Sequence, residues 1–323
     1  MELKDVNQVT QSNAVKRSWN DRLPTSITPA LRRLSVASLI GQGVLIVSGG
    51  VVRLTGSGLG CPTWPKCTAE SLTNTPAMGI HGLIEFGNRT LTFVLAAVAV
   101  AMLVMLWNLR KERKDLFWLA FALLASIPAQ AVIGGITVLT HLNPYVVSLH
   151  FLVSAALVVF SMLLVNRTYG RTGATAPSDV VRPRATIRKL SVVAAVCTYL
   201  AVVIGTMVTG SGPHAGDANA PRNDLDPYLI TRLHVVPVYI LVAVSALLVV
   251  LLWRRGKGDL LRIASLLLFS AVLYQGAIGY WQYFTGLPGV LVGFHMLGSS
   301  LMLAAGTNIV DLALRRGKDR VSA

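Results

Sequence analysis

Charge is scarce in this sequence. Asp, Glu, Lys and Arg make up 13% of the 323 residues, while 53% are hydrophobic, and the apolar residues fall in long blocks. Such a composition excludes an ordinary soluble globule, so the length is read as a series of membrane spans rather than as two soluble domains. Cysteine is scarcer still. The three are Cys61, Cys67 and Cys197, one close pair and a single residue, and without a second pair they do not form a zinc-binding pattern. The first 33 residues lack the short apolar core and cleavage site of a signal or transit peptide and mix Glu2, Asp5 and Asp21 with the bases. They are expected to be a cytoplasmic tail. The apolar blocks lack the alternation of barrel strands, and in lipid the remaining way to satisfy the backbone is the helix.

A window of roughly 20 residues places spans near 34–53, 83–108, 116–138, 145–166, 190–210, 231–253, 263–284 and 289–313. The segments between them alternate between basic and nearly base-free. The basic set is the N-terminal tail (Lys16, Arg17, Arg22, Arg32, Arg33), the turn at Arg110, Lys111, Arg113 and Lys114, the linker from Arg167 to Lys189, the turn at Arg254, Arg255, Lys257 and Arg262, and the tail at Arg315, Arg316, Lys318 and Arg320. The positive-inside rule puts all of these in the cytoplasm, with both termini inside and the other four loops outside. The formal charge of +15 is thereby parcelled out as topology. It does not form the single basic face that a nucleic-acid partner would require.

The two halves of the chain repeat one another. Thr55-Gly56-Ser57-Gly58 closes the first span and Thr209-Gly210-Ser211-Gly212 the fifth; Gln130-x-x-x-Gly134 precedes His150-x-x-x-Ser154 by the interval at which Gln275-x-x-x-Gly279 precedes His295-x-x-x-Ser299. A repeat of four spans returns the chain to its starting side, so the copies are parallel. The expected fold is an all-α membrane protein of eight transmembrane helices in two parallel pseudo-symmetric four-helix bundles. Its parts are a cytoplasmic tail (1–33), a first half (34–166), a cytoplasmic linker (167–189), a second half (190–314) and a second tail (315–323).

Ionisable groups inside a span are costly and mark function by default. His150, His234 and His295 lie near the starts of spans 4, 6 and 8, which all run from outside to inside, so the three collect at one depth near the outer surface. An isolated histidine there is often just a hydrogen bond between helices. Two on facing helices of one bundle, such as His234 and His295, can occupy both axial positions of a heme iron. In the first half His150 answers His295, but Asn88 answers His234, and Asn is a poor iron ligand. His81, seven residues before Asn88, is about 10 Å away along a helix, so the first-half site has either His150 alone or His150 with His81 in a distorted geometry. A weaker site suits a ligand that comes and goes.

Glu85 is a carboxylate in the outer half of a span. It either pairs with Arg89 at i,i+4 or accepts a proton beside a bound substrate. Arg53, Arg89 and Arg232 stand at outer span ends, either snorkelling to the interface or meeting the propionates of a heme. Cys61 and Cys67 share the first outer loop, an oxidising location where close thiols become a disulfide, either as a staple or as a redox pair. Cys197, alone in span 5, reads as packing, and His141 and His214 fall in outer loops.

The joint pattern of Thr-Gly-Ser-Gly-Leu-Gly-Cys (55–61), Glu85-Phe-Gly-Asn-Arg, Thr-Gly-Ser-Gly-Pro-His-Ala-Gly-Asp (209–217), Arg232-Leu-His234 and Gly293-Phe-His295 resembles the heme A synthase family over residues 34–313. The resemblance implies a bacterial plasma-membrane oxidoreductase that converts the C8 methyl of heme O to a formyl group by two successive hydroxylations, the resulting gem-diol losing water. It implies heme b held by His234 and His295, heme O as substrate near His150, a part for Glu85 in the oxidation, and an outer-loop cysteine pair at Cys61 and Cys67. Expected partners are heme O, a heme O-producing enzyme, an unnamed electron acceptor and membrane lipid, with no nucleic acid. Many members of that family carry His where this chain has Asn88, so the substrate-site ligand set does not carry over whole. Two other classes compete: a bis-histidine b-type cytochrome exchanging electrons with quinone, which needs symmetric histidine pairs and no Glu85, and a transporter, which favours polar groups at the bilayer midplane.

Overall fold

The computed structural model describes residues 22–172 and 183–315. Lys16 and Arg17 of the first tail, the middle of the linker, and Arg316, Lys318 and Arg320 lie outside the described residues. The described residues form eight long helices: α1 (Pro29–Leu54), α2 (Gly79–Met105, preceded by a single 3-10 turn at Pro76–Met78), α3 (Lys114–Leu139), α4 (Pro144–Thr168), α5 (Ala185–Ser211), α6 (Pro227–Leu252), α7 (Leu260–Phe284) and α8 (Gly289–Ala313). All eight are long and apolar enough to cross a membrane.

Several helices begin before their apolar runs do, because the cap rather than the hydrophobicity sets the start. Thr28 accepts a hydrogen bond from the Leu31 amide with Pro29 in the first turn, so α1 starts at residue 29 rather than 34. Asp226 and Pro227 begin α6 in the same way, and Asn143 and Pro144 begin α4. Asp259, with no proline, caps α7 by accepting from the Leu261 and Arg262 amides. The α4 helix runs on to Thr168, so Arg167, expected to open the linker, belongs to its last turn.

Within the first half the neighbouring pairs are α1 with α2 and α4, and α3 with α2 and α4; within the second they are α5 with α6 and α8, and α7 with α6 and α8. The halves meet where α1 and α4 pack on α8 and α4 on α5. The larger apolar core, including Leu241, Leu248, Leu268 and Leu303, fills the second half and this seam, and a smaller one around Leu31, Leu106 and Leu116 fills the basic end of the first. Large apolar side chains such as Phe93, Val250 and Phe284 face outward, as lipid contact requires.

Polar bonds fasten the seam at both ends. At the basic end Asp311 of α8 accepts from Asn166 Nδ2 (3.0 Å) and Thr172 Oγ1 (2.7 Å), with Arg167 at 3.6 Å. At the opposite end, called outer here after the expected orientation, the Gly58 amide donates to the Gly216 carbonyl (2.9 Å) and the Tyr145 hydroxyl to the Asn223 carbonyl (3.3 Å).

Candidate functional site

Each of the three histidines faces a glycine on the preceding helix. A methyl group at Gly134 of α3 would lie 3.3 Å from Cε1 of His150 on α4; at Gly205 of α5 it would lie 3.2 Å from Cε1 of His234 on α6; at Gly279 of α7 it would lie 3.4 Å from Cε1 of His295 on α8. The glycines let the Cε1 edge of an imidazole approach a helix backbone where an added methyl group would crowd it by a few tenths of an ångström. This gives the repeated Gln-x-x-x-Gly motif a physical reason. Gln130 adds a tether, donating from Nε2 to the His150 carbonyl (3.2 Å) and to Ser154 Oγ (2.6 Å). Gln275 does not reproduce the tether: it packs against Gly298, where a methyl group would come within 2.3 Å of Oε1, and that oxygen is buried without a partner.

The fourth helix pair differs. Asn88 of α2 accepts a hydrogen bond from Ser48 of α1 at 2.7 Å, so a closed polar pair stands where the other three helix pairs have a ring over a glycine. His81 is the other first-half candidate. It is exposed, and Nδ1 lies 2.9 Å from Ser57 Oγ, in contact with the first outer loop.

His234 and His295 face each other with ring centres 6.5 Å apart and planes at 69°. First-row metal–imidazole bonds are about 2 Å, and each ring centre stands roughly 1 Å behind its nitrogen, so two rings on one metal have centres about 6 Å apart. The observed spacing fits a metal centre between the pair. Nδ1 of His150, His234 and His295 is buried without a well-formed hydrogen bond, although the Ala201 carbonyl interacts with the His234 ring. The Nε2 edges are not sealed in this way, which leaves one nitrogen of each ring open to a ligand. Two neutral imidazoles with glycine clearance are a donor set suited to the iron of a flat tetrapyrrole. Among the described residues no group of three or more His, Cys, Asp or Glu side chains gathers as a metal site.

Glu85 is a buried carboxylate paired with Arg89 at i,i+4. It is 5% exposed, Oε1 accepts from Arg89 at 2.6 Å, and Oε2 accepts from the backbone amide of Cys61 at 2.6 Å. Arg89 pairs with Glu85 through Nη2, which also reaches the Cys61 and Thr63 carbonyls (3.4 and 3.5 Å). Cys61 and Cys67 form a disulfide and are fully buried. Cys197 is buried in the larger core, as its packing role requires.

The Arg53 guanidinium donates to the Thr209 carbonyl at 2.8 Å and to the His214 carbonyl, tying the first half to the outer loop of the second. His214 in turn joins the next loop through Nε2 and the Leu287 carbonyl (2.8 Å). Arg232 is exposed, its guanidinium stacked 3.9 Å from the Tyr228 ring centre and bonded to that hydroxyl. His141 is exposed in the outer turn after α3.

Sequence reasoning missed Gly205, Ser48 and the Cys61 amide. Gly205 has Val51 as its counterpart in the repeat, so the comparison of halves hides it. An amide has no letter of its own, so the contact to Glu85 had no signal in the sequence.

The family profile described as "Cytochrome oxidase assembly protein" (COX15-CtaA) matches residues 32–221, more than half of the chain. The chain is 30% identical over 150 residues to the heme A synthase of Alkalihalophilus pseudofirmus, covering 46% of this chain and 50% of that protein. It is 28% identical over 187 residues to that of Lysinibacillus sphaericus (55% and 57%) and 28% over 185 residues to that of Listeria monocytogenes (55% and 58%). The matches thus span a little over half the length of these relatives at most. On the profile match and these relatives together, the chain belongs to the COX15-CtaA family of cytochrome oxidase assembly proteins, the heme A synthase family.

Proposed function

We propose that this protein is a heme A synthase, an oxidoreductase that converts the C8 methyl group of heme O to a formyl group by two successive hydroxylations, the gem-diol then losing water. The observation that carries the reading is the pair of facing imidazoles in the second half at a spacing that suits one metal, set beside a first half in which only the His150 imidazole rests on a glycine and the Glu85 carboxylate is buried. On this reading the halves are pseudo-symmetric copies with divided labour. His234 and His295 would hold a resident heme b, which would supply a redox centre when bound. His150 is the ligand for the iron of heme O. Glu85 lies one helical turn from Asn88 and takes up a proton or steadies positive charge beside the reacting methyl group. Arg89 and the Cys61 amide hold that carboxylate in place. Both chain ends face the cytoplasm and the histidines the outer leaflet, as the distribution of basic residues favours. The oxidation needs an electron acceptor, and a heme O-producing enzyme is the natural donor of substrate.

The test is to extract and chromatograph the hemes from protein expressed with a heme O source. Wild type is expected to yield heme b together with heme A or hydroxylated heme O, and Glu85→Ala to accumulate heme O. Heme b alone in both, with heme O never modified, favours the electron-transferring cytochrome.

A further inference from the structure

The first outer loop touches the first half in more places than a simple connection between α1 and α2 requires. Ser57 meets His81, the Cys61 amide sits on Glu85, and the Cys67 sulfur lies 3.6 Å from that of Met78. Gly60 presses on the start of α2 so closely that a methyl group there would fall 2.3 Å from the His81 carbonyl oxygen. Beyond α2, the indole of Trp64 lies on α3: a methyl group at Gly135 would come within 2.4 to 2.7 Å of three of its ring atoms. Gly135 follows directly on Gly134, the residue against which His150 rests. The disulfide loop therefore bridges the outer ends of α2 and α3, with one foot on Glu85 and the other beside the histidine.

The seam beneath that bridge is the loosest in either half. Of all neighbouring pairs within the halves α2 and α3 pack least closely, and in the apolar stretches of these two helices only 17% of the residues are buried, against 28 to 39% for the other six. Among the described residues no side-chain hydrogen bond or ion pair joins α2 to α3. The corresponding seam of the second half, between α6 and α7, is closed by a bond between the Tyr239 and Tyr280 hydroxyls (2.5 Å).

We propose that the α2–α3 seam is the lateral doorway through which the first-half site exchanges its flat, lipophilic tetrapyrrole with the bilayer, and that the Cys61–Cys67 loop is the latch across its outer end. This rests on the reading of the first half as the heme O site. A site that turns over its ligand needs a passage, and a passage between two membrane helices opens to lipid without exposing backbone polar groups, because each helix satisfies its own. Trp64 and the Cys61 amide are positioning groups: the closed loop sets the position of Glu85 and the width of the seam together. The disulfide shortens the loop so that both feet land at once.

The experiment uses full-length protein in lipid nanodiscs, loaded by expression with a heme O source and mixed with excess apomyoglobin as a heme acceptor. Release of each heme is followed by its absorption spectrum. Trp64→Ala and the double variant Cys61→Ala with Cys67→Ala are expected to release heme O at least about tenfold faster than wild type, with heme b release unchanged. Gly135→Val leaves the loop intact and displaces the indole, so it should behave like Trp64→Ala. Unchanged heme O release in all three variants overturns the latch, and so does an equal acceleration of both hemes, which would mean general loosening. His150→Ala separates the two readings. If it loses heme O while the loop variants release at the wild-type rate, the latch alone fails; if it holds heme O as wild type does, the first-half site and the doorway fall together.

Discussion

The two halves use the same letters to different ends. In the second half both helix pairs set an imidazole against a glycine, Gly205 with His234 and Gly279 with His295, and the rings face each other at 6.5 Å. In the first half only Gly134 and His150 keep that arrangement, while the other pair has become a hydrogen bond between Ser48 and Asn88. Where the first half has fewer glycine-backed imidazoles it has other groups, since Glu85, Arg89 and a disulfide loop gather where the second half has none of them. A pair of strong ligands suits a group that stays, and one ligand beside a carboxylate suits a group that reacts and leaves.

The largest effects that can break this contrast come from the histidines. Losing only the outer-shell partner of a metal-binding histidine costs roughly 10- to 100-fold in affinity, so His234→Ala or His295→Ala should lower heme b affinity by at least about 100-fold. The purified protein is then expected to show almost no heme b by pyridine-hemochrome spectroscopy. His150→Ala should leave heme b in place and remove heme O and its products. Equal loss of both hemes from either variant would mean that the halves do not divide the labour.

A smaller effect sharpens the comparison by adding a ligand. Asn88→His puts an imidazole where the second half has one, but Ser48 is already bonded to that position and no glycine faces it. The single variant should slow heme O release only modestly. Paired with Ser48→Gly, which clears space on α1, it should slow release by about tenfold, equivalent to about 1.4 kcal/mol, as measured by transfer to apomyoglobin. Slower release should come with less heme A per heme O bound. A double variant that exchanges heme O as fast as wild type would show that ligand count does not set residence.

Much of this was legible in the sequence, for reasons that differ by residue. The eight spans stand out because nothing but a membrane tolerates such runs, and the caps that correct their starts, Thr28 with Pro29 and Asp226 with Pro227, were also written there in polar letters outside the window. His150, His234, His295 and Glu85 announced themselves because ionisable groups are rare in such spans. Their partners did not. Arg53 is bonded to carbonyls of Thr209 and His214, and Glu85 to the amide of Cys61; backbone groups are the same at every residue, so only the path of the chain reveals which are in reach. Trp64 on Gly135 belongs to the same class, a contact between a loop and a helix end about 70 residues away, with no periodicity to betray it.

The smallest effect tests whether matching letters mean matching roles. Gln130 and Gln275 occupy the same place in the repeat and both leave Oε1 buried and unpaired, yet Gln130 donates from Nε2 to the His150 carbonyl and Ser154, while Gln275 packs against Gly298 without that tether. Hydrogen bonds between membrane helices average about 0.6 kcal/mol, so Gln130→Leu should cost about that much or a little more, lowering the temperature at which half the bound heme O is lost from nanodiscs. Gln275→Leu removes an unsatisfied buried oxygen and so should be neutral or slightly stabilising for heme b, provided the leucine fits beside Gly298. Equal destabilisation by both would mean that Gln275 acquires a partner once the second half is loaded, and that the tether is common to both halves after all.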